Sequence, residues 1–159
     1  MSYHGTQRLT IDNQGRSVYG GSDLICVRGG WDALGGLART DAERAAVTRA
    51  RLYDEAMEEY PGFMASRKNY DVAEGLAHDG KRRSGVLEAS WRVGGATGAE
   101  VLALIALRNQ SVQVVEVAHV EEYGANKSPP DNAVVHFQGE DPSAGPVLRY
   151  TVVKAVREA

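Results

Sequence analysis

The sequence predicts an α+β fold: an antiparallel β-sheet meander with helices packed on one face, plus an extended glycine-rich N-terminal arm. Three observations lead to this prediction. A capping box at Thr40 opens a stretch with helical periodicity. Apolar and polar residues alternate with a period of two from Leu87 to Val93, which is typical of a half-buried strand. Pairs of glycines interrupt residues 1–39, which favours turns in an extended arm.

Length and composition limit the classes of protein to consider. The chain has 159 residues, enough for one domain to bury a core without metal or disulfide. Its net charge of −3 gives no general attraction to nucleic acid or to a membrane surface, and no segment approaches the roughly 20 apolar residues of a membrane span. The single cysteine, Cys26, lies in an apolar run, so we expect a buried, unreactive thiol in a reducing compartment. We expect a soluble intracellular protein with an arm at residues 1–39 and one α+β domain at residues 40–159.

Short β-like runs are expected within the arm. Asn13-Gln14-Gly15 separates two of them, residues 8–12 and 16–19, and suits a hairpin turn because Asn and Gly tolerate positive φ. The paired glycines lack the spacing of a phosphate-binding loop. Trp31 begins either a short helix or an apolar anchor.

Two helices are predicted next. Thr40 and Glu43 form the capping box of the first helix, and Pro61-Gly62 ends it. A second helix is predicted over residues 69–81. The basic cluster Lys81-Arg82-Arg83 follows, and it either complements the negative end of the helix dipole or contacts DNA or an acidic partner.

The strands of the meander are predicted downstream. Residues 87–93, 100–107 and 111–117 are expected to form three strands with short connections, and residues 134–137 a further short one. Apolar residues from Leu148 to Val156 suit a terminal helix. The β-branched run Thr151-Val152-Val153 leaves a strand as the alternative there.

His119 and Glu121 form the core of the one mixed cluster of chemically active residue types. On a strand these two side chains share a face, and with His136 from a neighbouring strand they could bind a metal or form a ribonuclease-like acid/base pair. The sequence contains no HExxH, CxxC, HxH or GxSxG spacing. We therefore expect no catalytic, metal-binding or cofactor-binding residues, and we assign His119 to an edge that contacts a partner.

Three phrases carry a resemblance to a known family. Arg83-Ser84-Gly85-Val86-Leu87 opens a predicted strand and continues to Ser90, His119-Val120-Glu121-Glu122-Tyr123-Gly124 ends the predicted sheet, and Pro146-Val147-Leu148-Arg149 begins the predicted last helix. In this order, and with Pro129-Pro130 in the loop between, residues 69–159 resemble the tail-completion and neck proteins that join head to tail in long-tailed bacteriophages. The family usually has Thr where this chain has Ser84.

The resemblance implies a structural virion protein without catalysis, forming a hexameric ring at the head–tail junction. The implied partners are other copies of the chain, the neighbouring connector, tail-terminator or tail-tube proteins, and transiently DNA in the channel, with no membrane. The implied location is the virion, and the host cytoplasm during assembly. The candidate interface residues are His119, Glu121, Glu122, Tyr123, Lys127, Lys81, Arg82 and Arg83.

Two alternatives stay open. One is a small intracellular hydrolase or nuclease, of the kind found among toxins, centred on His119, Glu121 and His136. The other is a bacterial protein-binding domain.

Overall fold

A computed structural model describes residues 1–158 of the chain. Its strands form a five-stranded antiparallel sheet in the order β1-β2-β5-β7-β6 and a separate two-stranded antiparallel sheet of β3 and β4. Together with three helices, these sheets confirm the predicted α+β class with an antiparallel sheet. In chain order the elements are β1 Ser2–Ile11, β2 Ser17–Val27, α1 Trp31–Gly35, α2 Asp41–Glu58, β3 Asn69–Leu76, β4 Arg82–Ser90, α3 Thr97–Ala106, β5 Val112–Tyr123, β6 Val134–Asp141 and β7 Gly145–Glu158.

The chain folds as two compact units. The first combines residues 1–28 with the chain from Gly94 onward, and contains the five-stranded sheet and α3. The second comprises Gly29–Val93 and contains α1, α2, β3 and β4. This division differs from the predicted boundary after residue 39, because the second unit is inserted between two parts of the first.

The glycine-rich N-terminal residues belong largely to the main sheet rather than to a separate arm. β1 pairs with β2 along its whole length, and the turn between them lies at the predicted hairpin. β2 in turn pairs with β5, and Leu24 and Cys26 of β2 are buried in the core of the first unit. Burial raises the pKa of the Cys26 thiol to about 12, which suits the expected unreactive cysteine.

The core of the first unit lies between α3 and one face of the sheet. Ala99 and Ala103 of α3 are fully buried, and they cluster with Val115 and Val117 of β5. Small residues on the helix allow it to approach the β-branched side chains of the strand closely. A second cluster, on the alternate residues of β5 and β7, comprises Ala118, Val120, Leu148, Tyr150 and Val152.

The predicted capped helix is confirmed as α2. The Glu43 amide donates to Thr40 Oγ1 at 3.1 Å, and the Thr40 amide donates to Glu43 Oε2 at 2.9 Å. Asp54 of α2 is buried and accepts hydrogen bonds from Trp31 Nε1 at 3.2 Å and from the Tyr70 hydroxyl at 2.6 Å. Asp54 therefore ties α1 and β3 to α2 inside the second unit. None of the helices among residues 1–158 combines the length and the apolar character needed to cross a membrane.

Three predicted elements are wrong. Residues 69–76 form β3 and pair with β4, whereas a helix was expected over residues 69–81. The apolar run after Gly98 forms α3, whereas a strand was expected over residues 100–107; a short apolar run fits a buried strand and a buried helix equally well. A terminal helix was expected from Leu148 to Val156, whereas residues 145–158 form β7, which pairs with a strand on each side. The β-branched run around Val152 suits this strand.

Gly21 lies in close contact with the backbone of β5, and its replacement tests the fold of the first unit. Gly21 has φ +117°, and a Cβ there would lie 1.9 Å from the carbonyl oxygen of His119. We expect Gly21→Ala to lower the free energy of unfolding by more than about 3 kcal/mol, because backbone must move. Gly15→Ala is the matched control, since Gly15 also has positive φ but no atom near its Cβ position, and should cost about 1 kcal/mol. Equal losses in urea unfolding would contradict this account of β2.

Candidate functional site

Five polar side chains form a continuous strip across β5, β6 and β7. They are His119 and Glu121 of β5, His136 of β6, and Arg149 and Thr151 of β7, which we call the histidine strip. His119 lies opposite Thr151 and Glu121 opposite Arg149 in the strand register, and a bulge in β6 places His136 beside the same rows. Since side chains on a strand alternate between faces, His119 and Glu121 continue the row that begins with Val115 and Val117.

Glu121 is the charged centre of the histidine strip. Arg149 Nε donates to Glu121 Oε2 at 3.1 Å, and His119 Nε2 lies 3.6 Å from Glu121 Oε1. The neighbouring His119 and Arg149 hold the pKa of Glu121 below its ordinary value, although burial opposes them. Glu121 is therefore ionised at neutral pH. Arg149 also lies 3.8 Å from Asp141 Oδ2, so one guanidinium serves two carboxylates.

His119 has one ring nitrogen facing a charge and the other facing the protein. Its Nδ1 atom is buried and finds no hydrogen-bond partner within residues 1–158. The ionised carboxylate of Glu121 beside Nε2 favours the tautomer with its proton on Nε2. The lone pair on Nδ1 is then directed into the protein without a donor, which is unusual for a buried polar atom.

His136 is exposed, and one of its ring nitrogens contacts a buried hydroxyl group. Its Nε2 lies 2.5 Å from Thr151 Oγ1, and the side chain of Thr151 is fully buried. The centroids of the His136 and His119 rings are 5.9 Å apart. A Cβ on Gly98, in the first turn of α3, would lie 3.0 Å from Thr151 Oγ1 and 3.4 Å from His119 Nδ1. The absence of a side chain at Gly98 thus makes room for the polar groups of three strands.

Comparison with known proteins identifies the family. The model of the family described as "Protein of unknown function (DUF3182)" matches residues 1–151. The chain belongs to this family. No curated protein matches the chain, and no solved structure matches it. The family match spans both units, and it includes the N-terminal strands that the phage resemblance did not cover.

The structure separates two neighbouring candidate interface residues, Glu121 and Glu122. Glu121 and Glu122 are neighbours on β5 and so point to opposite faces. Glu122 lies 3.9 Å from Lys127 Nζ and is near Tyr150, whose pKa is raised by burial and then by the charge of Glu122. Tyr123 is the last residue of β5. Of the candidate interface residues on β5, only His119 and Glu121 therefore belong to the histidine strip.

The basic cluster lies in the second unit and is paired with acidic side chains. Arg82 pairs with Glu74 across the β3–β4 turn, and Arg83 Nη2 lies 3.5 Å from Asp79 Oδ2. Lys81 Nζ lies 4.0 Å from the same carboxylate. The cluster stands at the start of a strand, so the predicted contact with a helix dipole is wrong.

Three members of the site, Arg149, Thr151 and Gly98, were missed by sequence reasoning. Arg149 was noted only as part of a family phrase, and Thr151 only for its β propensity. The signal for them is cross-strand register, which cannot be read before the strands are paired. Within residues 1–158, no three His, Cys, Asp or Glu side chains come together as a metal-binding group.

Glu121→Gln tests the electrostatic role of the ionised carboxylate through the pH dependence of stability. Because the folded protein holds the pKa of Glu121 below its ordinary value of about 4.3, the carboxylate stabilises the fold at pH values above that. This stabilisation is lost as pH falls through the lowered pKa. We expect the wild-type advantage over Glu121→Gln in urea unfolding to be full at pH 7 and to shrink below about pH 4.

Glu122→Gln is the matched control for that experiment, since it removes a carboxylate from the neighbouring position on the opposite face. If the two variants show the same difference from wild type at every pH, the paired carboxylate is not what stabilises the strip.

Proposed function

We propose that the histidine strip is a hydrolytic active site in which the exposed His136 accepts a proton from a water molecule and His119 positions the neighbouring polar groups. One observation carries the proposal: the fold brings His119, Glu121 and His136 together from two strands that are not adjacent in the sheet. A purely structural sheet does not need two imidazoles and an ionised carboxylate at one place. Neutral imidazole is the side chain best suited to accept a proton from water near neutral pH.

The exposed His136 ring gives a substrate access to the site. Thr151 fixes the ring of His136 from within the sheet, and Glu121 orients His119 as a carboxylate orients a catalytic histidine. The guanidinium of Arg149 is about a third exposed and lies 5.7 Å from the Phe137 ring. Its positive charge can stabilise negative charge that develops on a substrate oxygen.

The reaction class is hydrolysis of an ester or phosphodiester. The water oxygen forms a bond to the electrophilic carbon or phosphorus, and the bond to the leaving oxygen breaks. The proton lost by water passes through His136 to the leaving oxygen, so the imidazole is regenerated. No oxidant, reductant or further reactant is required.

The role at a phage head–tail junction stays a prediction. The phrases that carry the resemblance lie in β4, β5 and β7, and two helices on which it depended, at 69–81 and at the C-terminus, are strands. One feature favours assembly: β1 and β6 each pair with a single neighbour in the five-stranded sheet, so the two edges are different surfaces. A ring needs such heterologous contacts. Measuring the mass of the purified protein by light scattering tests this prediction. A stable ring should have the mass of a hexamer, and the mass of a monomer would contradict the prediction.

Hydrolysis of bis(p-nitrophenyl) phosphate and p-nitrophenyl acetate by the purified chain tests the active-site proposal. We expect turnover above the buffer rate, and a loss of at least about 100-fold in His136→Ala, because proton transfer typically contributes that much. His119→Gln should also lower the rate, because it removes the imidazole that lies beside both Glu121 and His136. His78→Ala is the control, since His78 lies exposed in the β3–β4 turn of the other unit.

Circular dichroism confirms that each variant is folded before its rate is compared. A wild-type rate equal to buffer, or full activity in both strip variants, would overturn the proposal.

A further inference from the structure

We propose that Asp141 is a positioning residue of the histidine strip: it holds the guanidinium of Arg149, so that Arg149 in turn holds Glu121 beside His119. Asp141 is the last residue of β6, where the chain turns towards β7. The inference deepens the proposed hydrolytic site and rests on it for the rate that it predicts. The arrangement of the side chains is measured without any reaction.

The first argument is the way in which Asp141 is itself fixed. Its Oδ1 atom accepts hydrogen bonds from the backbone amides of Ser143 at 2.9 Å and Ala144 at 3.0 Å. These two amides hold the pKa of the Asp141 carboxyl below its ordinary value. The ionised carboxylate then presents its other oxygen, Oδ2, to Arg149 Nη1 at 3.8 Å.

The second argument is the anchoring of the turn that carries Asp141. Asn13, in the turn between β1 and β2, donates from Nδ2 to the carbonyl oxygens of Ala144 at 2.6 Å and Pro146 at 2.9 Å. A Cβ on Gly145 would lie 3.0 Å from the same Nδ2 atom, so the absence of a side chain at Gly145 lets the two turns meet. Asp141 is thus held in place by its own turn and by a second hairpin.

The third argument is the two-sided contact of the guanidinium. Arg149 Nε donates to Glu121 Oε2 at 3.1 Å, and Arg149 Nη1 faces Asp141. Because a guanidinium is planar and rigid, contacts at two of its nitrogen atoms define its orientation. If Asp141 loses its charge, the guanidinium keeps the contact with Glu121 and the face of the Phe137 ring, 5.7 Å away, and its second ionic contact is gone.

The effect of Asp141 reaches the histidines through Glu121. One carboxylate oxygen of Glu121 accepts from Arg149, and the other lies 3.6 Å from His119 Nε2. A guanidinium that turns away leaves Glu121 less firmly held, and a carboxylate that moves no longer fixes the ring of His119. Since small displacements of the groups in an active site lower its rate, Asp141 acts on the reaction by way of Arg149, Glu121 and His119.

Asp141→Asn separates this role from the capping of the turn. The side-chain oxygen of asparagine still accepts hydrogen bonds from the amides of Ser143 and Ala144, as Asn commonly does in turns, but it carries no charge for Arg149. We therefore expect the variant to fold and to keep the turn, with unchanged amide signals of these two residues. Glu140→Gln is the matched control, because it removes an exposed carboxylate from the preceding position of β6.

Nuclear magnetic resonance of the full chain measures the hold on Arg149. In the wild type its Nε–H proton should exchange slowly with water, because Arg149 donates this proton to Glu121. We expect Asp141→Asn to speed this exchange at least about 10-fold, since a hydrogen bond to a charged group is weakened. Glu140→Gln should leave the exchange rate unchanged. Arg149→Lys identifies the signal by removing it.

Hydrolysis of p-nitrophenyl acetate measures the consequence for the reaction. This ester is neutral, so a lower rate cannot come from a changed attraction of a charged substrate. We expect Asp141→Asn to lower kcat by about 10- to 100-fold, because the site is displaced rather than removed, and Glu140→Gln to keep the wild-type rate. The inference is overturned if Nε–H exchange in Asp141→Asn equals that of the wild type, if Glu140→Gln changes it equally, or if an active chain keeps its full rate in Asp141→Asn.

The two proposals fail in different ways. Hydrolysis by the wild type, together with unchanged Nε–H exchange in Asp141→Asn, contradicts the role of Asp141 alone. Faster exchange in Asp141→Asn, in a chain that hydrolyses neither test substrate, supports the hold of Asp141 on Arg149 and contradicts the proposed function.

Discussion

The pairing of β5 with a strand on each side is the constraint on which the first unit depends. β5 lies at the centre of the five-stranded sheet, between β2 and β7. The row of side chains that is buried under α3 at Val115 and Val117 continues beyond the first turn of that helix as His119 and Glu121. The same alternation of side chains therefore builds the core and places the histidine strip. Gly98 lies beside the histidine strip, where the buried apolar row gives way to polar side chains.

Local signals in the sequence predict local structure well. The capping box at Thr40 and Glu43 involves groups three residues apart, so it could be recognised without knowing the fold. The turn near Gly15 is equally local. Elements whose identity depends on distant partners were predicted poorly. Residues 145–158 form a strand because β5 and β6 pair with them on both sides, and this outweighs an apolar spacing that also suits a helix.

The candidate site shows the same difference between what local signals predict and what depends on distant partners. That His119 and Glu121 share a face follows from their spacing on a strand, and their partnership with His136 was one open alternative. The contribution of Thr151 and Arg149 depends on the register between β5 and β7, which the sequence does not display. The separation of Glu121 from Glu122 follows from alternation alone and was overlooked, because the two residues were assigned to one candidate interface.

Long-range ¹H–¹⁵N correlation of the histidine rings tests the central claim, that His119 and His136 form one polar site organised by Glu121. The account predicts that the neutral His119 ring carries its proton on Nε2 and leaves Nδ1 unprotonated. It also predicts a nuclear Overhauser effect between the two rings, whose centroids are 5.9 Å apart. A proton on Nδ1 of His119, together with no contact between the rings, would contradict the account.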